Sequence, residues 1–159
     1  MPPNNGKTLL LSGGQTMQAL WPAAVEAGYR LAFLNPGAAK AAREQHLDVD
    51  SLDDFVDGDT REAAANAAGL LVAQVAGNMP LIGARFAERF TPPCSAELNG
   101  RLDMWFVGFC LHQFHEQVTR LAGLERLAEK RDIAAGLVHE DVTLDGRVLV
   151  GFCKARGIP

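Results

Sequence analysis

The sequence predicts an α/β domain: an open, mostly parallel sheet of about four strands in the order 3-2-1-4, with helices on both faces. Three observations predict it. Short apolar runs without polar alternation occur at 7–12 (KTLLLS), 29–34 (YRLAFL) and 133–139 (IAAGLVH), the pattern of strands covered on both sides. Segments with helical spacing separate them, and a β-α-β order calls for parallel pairing through right-handed crossovers. A length of 159 residues, 48% apolar and 21% charged, is that of one globular domain with a core of its own.

The elements follow in chain order. After the first run, Gly13 and Gly14 break the strand, and Met17, Leu20, Trp21, Ala24 and Val25 carry helical spacing up to Gly28. Pro22 lacks an N–H and clashes with a preceding helical turn, so this helix is expected to start or kink near Trp21. The second run ends at Asn35-Pro36-Gly37 and leads into a short Ala-rich helix over 38–45. Weaker strand character returns at 47–52. The middle reads as an extra helical segment. Asp59 with Glu62 resembles a capping box for a helix closed by Gly77, and a shorter helix is expected over 80–90, stopped by Thr91-Pro92-Pro93. Ser95 is placed to cap a long helix through Leu98, Leu102, Trp105, Phe106, Phe109, Val118 and Leu121, which Gly108 and Gly123 could divide. Arg126 to Arg131 reads as a mixed-charge, solvated stretch. Beyond the third run, Thr143 is a good N-cap and Gly157 a good C-cap for a last helix.

A net charge of −4, with no run of Lys or Arg, argues against nucleic acid or an anionic membrane as partner. The first residues, MPPNNGK, contain no apolar h-region, and no apolar run approaches the ~20 residues of a membrane span, so a cytoplasmic protein is expected. Cys94, Cys110 and Cys153 form no CxxC pair and read as small buried hydrophobes. The closing Ala-Arg-Gly-Ile-Pro is the kind of turn that hands over to another parallel strand. The expectation is therefore a single α/β domain over 1–159, followed in a longer chain by a second one.

In a sheet of order 3-2-1-4 ligands bind beyond the strands' carboxyl ends, where the order reverses, between the first strand and the one ending at His139. Candidate ligand contacts are Ser12, Gly13, Gly14 and Gln15 after the first strand, Asn35 and Gly37 after the second, and His139 and Thr143 after the fourth. Ser12-Gly13-Gly14-Gln15 allows close backbone approach and a helix N-terminus behind it, but matches neither GxGxxG nor a Walker motif; a tight strand-to-helix turn needs the same glycines. Asn35-Pro36-Gly37 is likewise a turn first. Glu140 and Asp141, adjacent carboxylates at a strand end, are the candidate catalytic pair, able to take a proton from a hydroxyl; one of them could equally cap the next helix. His112 and His115, at i and i+3 beside Glu116, could ligate a metal, but the sequence names no third ligand and the aromatic neighbours favour a packed face. No metal and no cofactor are expected. Trp105, Phe106 and Phe109 read as core, or as an interface with a second domain or another copy.

The stretch His139-Glu140-Asp141-Val142-Thr143-Leu144-Asp145-Gly146-Arg147, with Ala155-Arg156-Gly157-Ile158-Pro159, resembles a pattern of bacterial glycosyltransferase-like proteins of the two-Rossmann-domain (GT-B) type, including enzymes of surface-polysaccharide biosynthesis. The likeness covers about twenty residues; elsewhere only the Rossmann-like fold agrees. It implies the N-terminal, acceptor-side domain, inactive alone, with Glu140, Asp141 and Thr143 lining the cleft and a second α/β domain supplying the nucleotide-sugar contacts. Ser-Gly-Gly-Gln lacks the His-containing loop of many such enzymes, so the likeness carries no catalytic base there. Two other readings compete: a non-catalytic Rossmann-like ligand-binding or dimerisation module, and a nucleotide-processing enzyme using the Gly13-Gly14 loop.

Overall fold

A computed structural model of the chain describes residues 6–87, 96–140 and 142–159. The strands are β1 (Lys7–Leu11), β2 (Arg30–Phe33), β3 (Val49–Ser51) and β4 (Asp132–Leu137). They form one sheet in the order β3-β2-β1-β4, every pairing parallel. This is the Rossmann-like open sheet that the apolar runs predict.

The helices are α1 (Trp21–Glu26), α2 (Pro36–Glu44), α3 (Gly58–Ala87), α4 (Ala96–Lys130) and α5 (Leu144–Arg156). Successive strand residues point to opposite faces, and each face has its own core. Leu11, Leu31 and Phe33 pack with Met17, Trp21, Ala38, Ala39 and Ala42, so the first two helical segments cover one side. Leu10 and Ala32 pack with Leu124, Leu127, Leu149 and Phe152, so the end of α4 and α5 cover the other. Gly136 lets α5 come this close, since a Cβ there would lie 2.6 Å from Cys153 Sγ.

The chain divides into two compact units, Met1–Arg61 with Thr119–Pro159 and Glu62–Val118. The first holds the sheet. The second consists of the greater part of α3 and the first part of α4.

Several local expectations are revised. Gln15–Leu20 is a 3-10 helix and the α-helix proper begins at Trp21, leaving Pro22 in its first turn, where a missing N–H costs nothing. Asp57, not an Asp59–Glu62 box, caps α3: its Oδ1 accepts from the Thr60 backbone N–H at 2.8 Å and from the Thr60 hydroxyl at 2.6 Å. That hydroxyl, then Arg126, holds the Asp57 carboxyl well below the usual carboxylate range. α3 runs on through Gly77, and α4 through Gly108 and Gly123. Glycine costs a helix interior about 1 kcal/mol but ends it only where the backbone turns left-handed, and none of these three has a positive φ. The stretch 126–131 is not wholly solvated, because Leu127 is fully buried in the core. The expected stop at Thr91-Pro92-Pro93, the Ser95 cap and Cys94 lie outside the described residues. Cys110 and Cys153 are buried free thiols.

An ion cluster ties the amino end of the sheet. Arg30 donates to Asp50 on β3 from Nε at 2.8 Å and to Asp48 from Nη1 at 2.8 Å, and Arg131 reaches the same Asp50 from Nε at 2.8 Å. Burial pushes the Asp50 carboxyl up, but hydrogen bonds from Arg131 and Arg30 outweigh it and hold the group below the usual range.

Candidate functional site

β1 and β4 are parallel neighbours at the point where the strand order reverses, Leu10 opposite Gly136 and Leu11 opposite Leu137. Their trailing loops therefore lie side by side, at the position where such sheets bind ligands. The Ser12 N–H extends the pairing by donating to the Leu137 carbonyl at 3.1 Å. One residue on, the loops touch: a Cβ on Gly13 would lie 3.0 Å from His139 Cβ and 2.3 Å from Met17 Sδ. A Cβ there requires the Met17 side chain to move aside. Gly13 is thus explained by packing, and the contact joins the β1 loop to the β4 loop.

Among the described residues four buried side-chain atoms lack a hydrogen-bond partner, those of Thr8, Ser12, Trp21 and Thr119, and Ser12 is the one at this site. Its Oγ is buried and has no hydrogen-bond partner among the described residues. A buried hydroxyl left unpaired costs about 1–3 kcal/mol, so such groups mark places where a ligand or solvent partner is called for. Behind it, Gly14 precedes a 3-10 helix of six residues and offers no side-chain cap. That segment is too short to present the helix N-terminus expected of an anion site.

On the β4 side, His139 Nδ1 and Glu140 Oε1 are 3.5 Å apart and both side chains are exposed. The Glu140 backbone is fixed from two directions. The Thr143 hydroxyl donates to the Glu140 carbonyl at 3.1 Å while its oxygen caps α5 by accepting from the Gly146 N–H at 3.1 Å. α5 packs so close that a Cβ on Gly146 would sit 2.0 Å from the same carbonyl. Arg120 on α4 pairs with Asp145 in the first turn of α5 and holds that turn. Thr143 thus caps the helix, as its sequence position predicts, and Glu140 is left with a half-exposed carboxylate on a rigid backbone.

The other candidates divide. Asn35 Oδ1 is occupied in accepting from the Ala38 N–H at 3.1 Å, the N-cap of α2, and Gly37 lies inside that helix's first turn. Asp141 lies outside the described residues, as does the side chain of Gln15. Sequence reasoning missed Met17 and the Arg120–Asp145 pair. Helical spacing marked Met17 only as core, and nothing local links Arg120 to a residue 25 positions away. Among the described residues no group of three His, Cys, Asp or Glu side chains could hold a metal ion. None of their helices is long and apolar enough to cross a membrane.

No protein-family model, curated protein or solved structure significantly matches the chain.

Proposed function

We propose that the chain is the acceptor-side domain of a glycosyltransferase-like protein, binding a small hydroxyl-bearing ligand in the crevice between the loops after β1 and β4. One observation carries the reading: at the reversal point of the strand order, a buried, unpartnered Ser12 Oγ lies one residue from the Gly13–His139 contact. A saccharide hydroxyl supplies the partner that Ser12 lacks. The Glu140 carboxylate, beside His139, accepts the proton of the reacting hydroxyl, with Asp141 next to it in sequence. A domain of this kind turns nothing over alone, and the nucleotide-sugar contacts belong to a second α/β domain.

The crevice carries acidic side chains and no Lys or Arg in 12–15 or 139–143. This favours a neutral polyol over a phosphorylated ligand, and so counts against the nucleotide-processing reading. Backbone amide shifts recorded while monosaccharides, and separately UDP- and CDP-sugars, are added to the chain test it. The expected result is movement of the Ser12–Gly14 and His139–Glu140 amides with the saccharide, and weak or no binding of the nucleotide sugars. Tight nucleotide-sugar binding, or saccharide shifts confined to other loops, would overturn the reading.

A further inference from the structure

The first helical segment changes type in its middle. Met17, Leu20, Trp21, Ala24 and Val25 carry α-helical spacing, yet Gln15–Leu20 is a 3-10 helix and the α-helix starts only at Trp21, with Leu20 left 53% exposed. A 3-10 run of six residues is uncommonly long and calls for a cause. Pro22 supplies one. An α-helix running back from it would have to pass the Gln18 carbonyl, four residues earlier, which the proline ring strikes and to which Pro22 has no N–H to donate. That carbonyl accepts from the Trp21 N–H instead, three residues on. The Met17 N–H donates to the Gly14 carbonyl at 3.1 Å in the same three-residue pattern.

The tighter winding matters at the loop after β1, where Ser12 Oγ already stands buried and unpartnered. In sheets of this kind a phosphate sits there on the free N–H groups of an α-helix N-terminus. An α-helix leaves its first four N–H groups unbonded, a 3-10 helix one fewer. Counting from the N-cap Gly14, the fourth is that of Met17, and the Gly14 carbonyl occupies it. With no Lys or Arg in 12–15 or 139–143, these loops hold no cationic side chain to make up for it. We infer that Pro22, an exposed residue eight positions beyond Gly14, is a specificity-determining residue of this site. By imposing the 3-10 form it withdraws one N–H from the position where an anion would bind, and so turns the site from phosphorylated ligands towards uncharged polyols. This rests on the reading above only in taking the loop after β1 as part of the binding site.

Nuclear magnetic resonance on the whole chain, titrated with inorganic phosphate, tests the role of Pro22. Pro22→Ala, at an exposed position, is expected to convert 15–20 to α-helix, read as backbone contacts from i to i+4 in place of i to i+3. Its Gly13, Gly14 and Met17 amides should then bind phosphate roughly tenfold more tightly than the parent's, the worth of one hydrogen bond to a charged group. Pro22→Gly also removes the ring and restores the N–H, but glycine is a poor helix former, so conversion and phosphate affinity should both fall between parent and Pro22→Ala. A Pro22→Ala chain that keeps the 3-10 form overturns the inference and assigns the winding to Met17, buried against Gly13. Conversion without a gain in phosphate affinity overturns it too, as does an equal gain in the Ala and Gly variants. Saccharide shifts recorded on the same parent sample report on the function proposed above; their absence would sink that function while the phosphate titration still decides the role of Pro22.

Discussion

The two units of the chain use apolar residues in opposite ways. In the sheet unit the large side chains are inside: Trp21, Phe33, Leu10, Leu31, Leu124, Leu127 and Leu149 are essentially inaccessible. In the helical unit, among the described residues, the buried positions are the small Ala64, Ala68 and Cys110, while Leu70, Met104, Trp105, Phe109 and Leu111 face solvent. The cause is geometric. A parallel sheet has two faces to cover and recruits helices to each, so its large residues have partners on both sides. A helix covers only the stripe along which it packs, and whatever is apolar beyond that stripe stays uncovered. The same residue types therefore stabilise the fold in one unit and lie exposed in the other.

A pair of tryptophans gives the largest test of that contrast. Trp21 is fully buried and meets Phe33 edge-to-face at 4.9 Å. Trp21→Ala is expected to cost about 3–5 kcal/mol in urea unfolding, the range for truncating a core aromatic. Trp105→Ala is expected to change stability by less than about 0.5 kcal/mol. Comparable losses at the two positions would mean that the helical unit buries Trp105 after all.

The ion cluster sharpens the comparison next. Asp50 lies in the sheet unit with its side chain only 9% exposed, held by Arg30 and Arg131. Asp50→Asn strands two guanidinium groups and is expected to cost about 2–3 kcal/mol at neutral pH, below the figure for a fully buried pair because both arginines remain partly solvated. The pH dependence follows from the depressed carboxyl. A folded-state pKa below the unfolded value contributes stability that is fully present above the ordinary carboxylate range near ~4 and is lost as pH falls through the folded value. Chemical unfolding of parent and variant from neutral pH down to about 2 should therefore show the difference shrinking only in the acid limb. A difference that does not change with pH would mean that the carboxylate is not what holds the cluster.

What could be read from the sequence follows the range over which each signal acts. β1, β2 and β4 were legible because an apolar run states that both faces are covered, and Asn35, Thr143 and Gly157 because a cap acts within three or four residues. The start of α3 was misplaced because Asp57 and Asp59 both satisfy the local pattern, and the choice was made by Arg126, 69 residues away, which pairs with Asp57. The Asp50–Arg131 contact spans 81 residues and leaves no local trace. At the candidate site, strand order alone located Ser12, Gly13, His139 and Glu140 together. That Gly13 packs on Met17 and His139 was invisible, since a tight turn and a close contact both ask for glycine.

Caps give a smaller effect. Thr143→Ala removes the hydroxyl that accepts from the Gly146 N–H and donates to the Glu140 carbonyl. The expected cost is about 1 kcal/mol, read as a lower urea midpoint at unchanged slope. Because the same hydroxyl ties the Glu140 backbone, saccharide-induced shifts at Glu140 should weaken together with the stability. Loss of stability with those shifts intact would separate the cap from the site.

The smallest expected change has the opposite sign and comes from glycines. Gly146 and Gly69 both lie within helices, but a Cβ on Gly146 would strike the Glu140 carbonyl at 2.0 Å, whereas Gly69 on α3 has no neighbour within 4 Å of that position. Backbone cannot retreat as a flexible side chain can, so Gly146→Ala destabilises. Gly69→Ala only trades a flexible residue for the best helix former, and on an exposed surface that gain is about 0.5–1 kcal/mol. Thermal melts of the two variants should therefore move apart, Gly69→Ala upward and Gly146→Ala downward. A loss at Gly69 would reveal a packed surface on α3 where the description above has an open one.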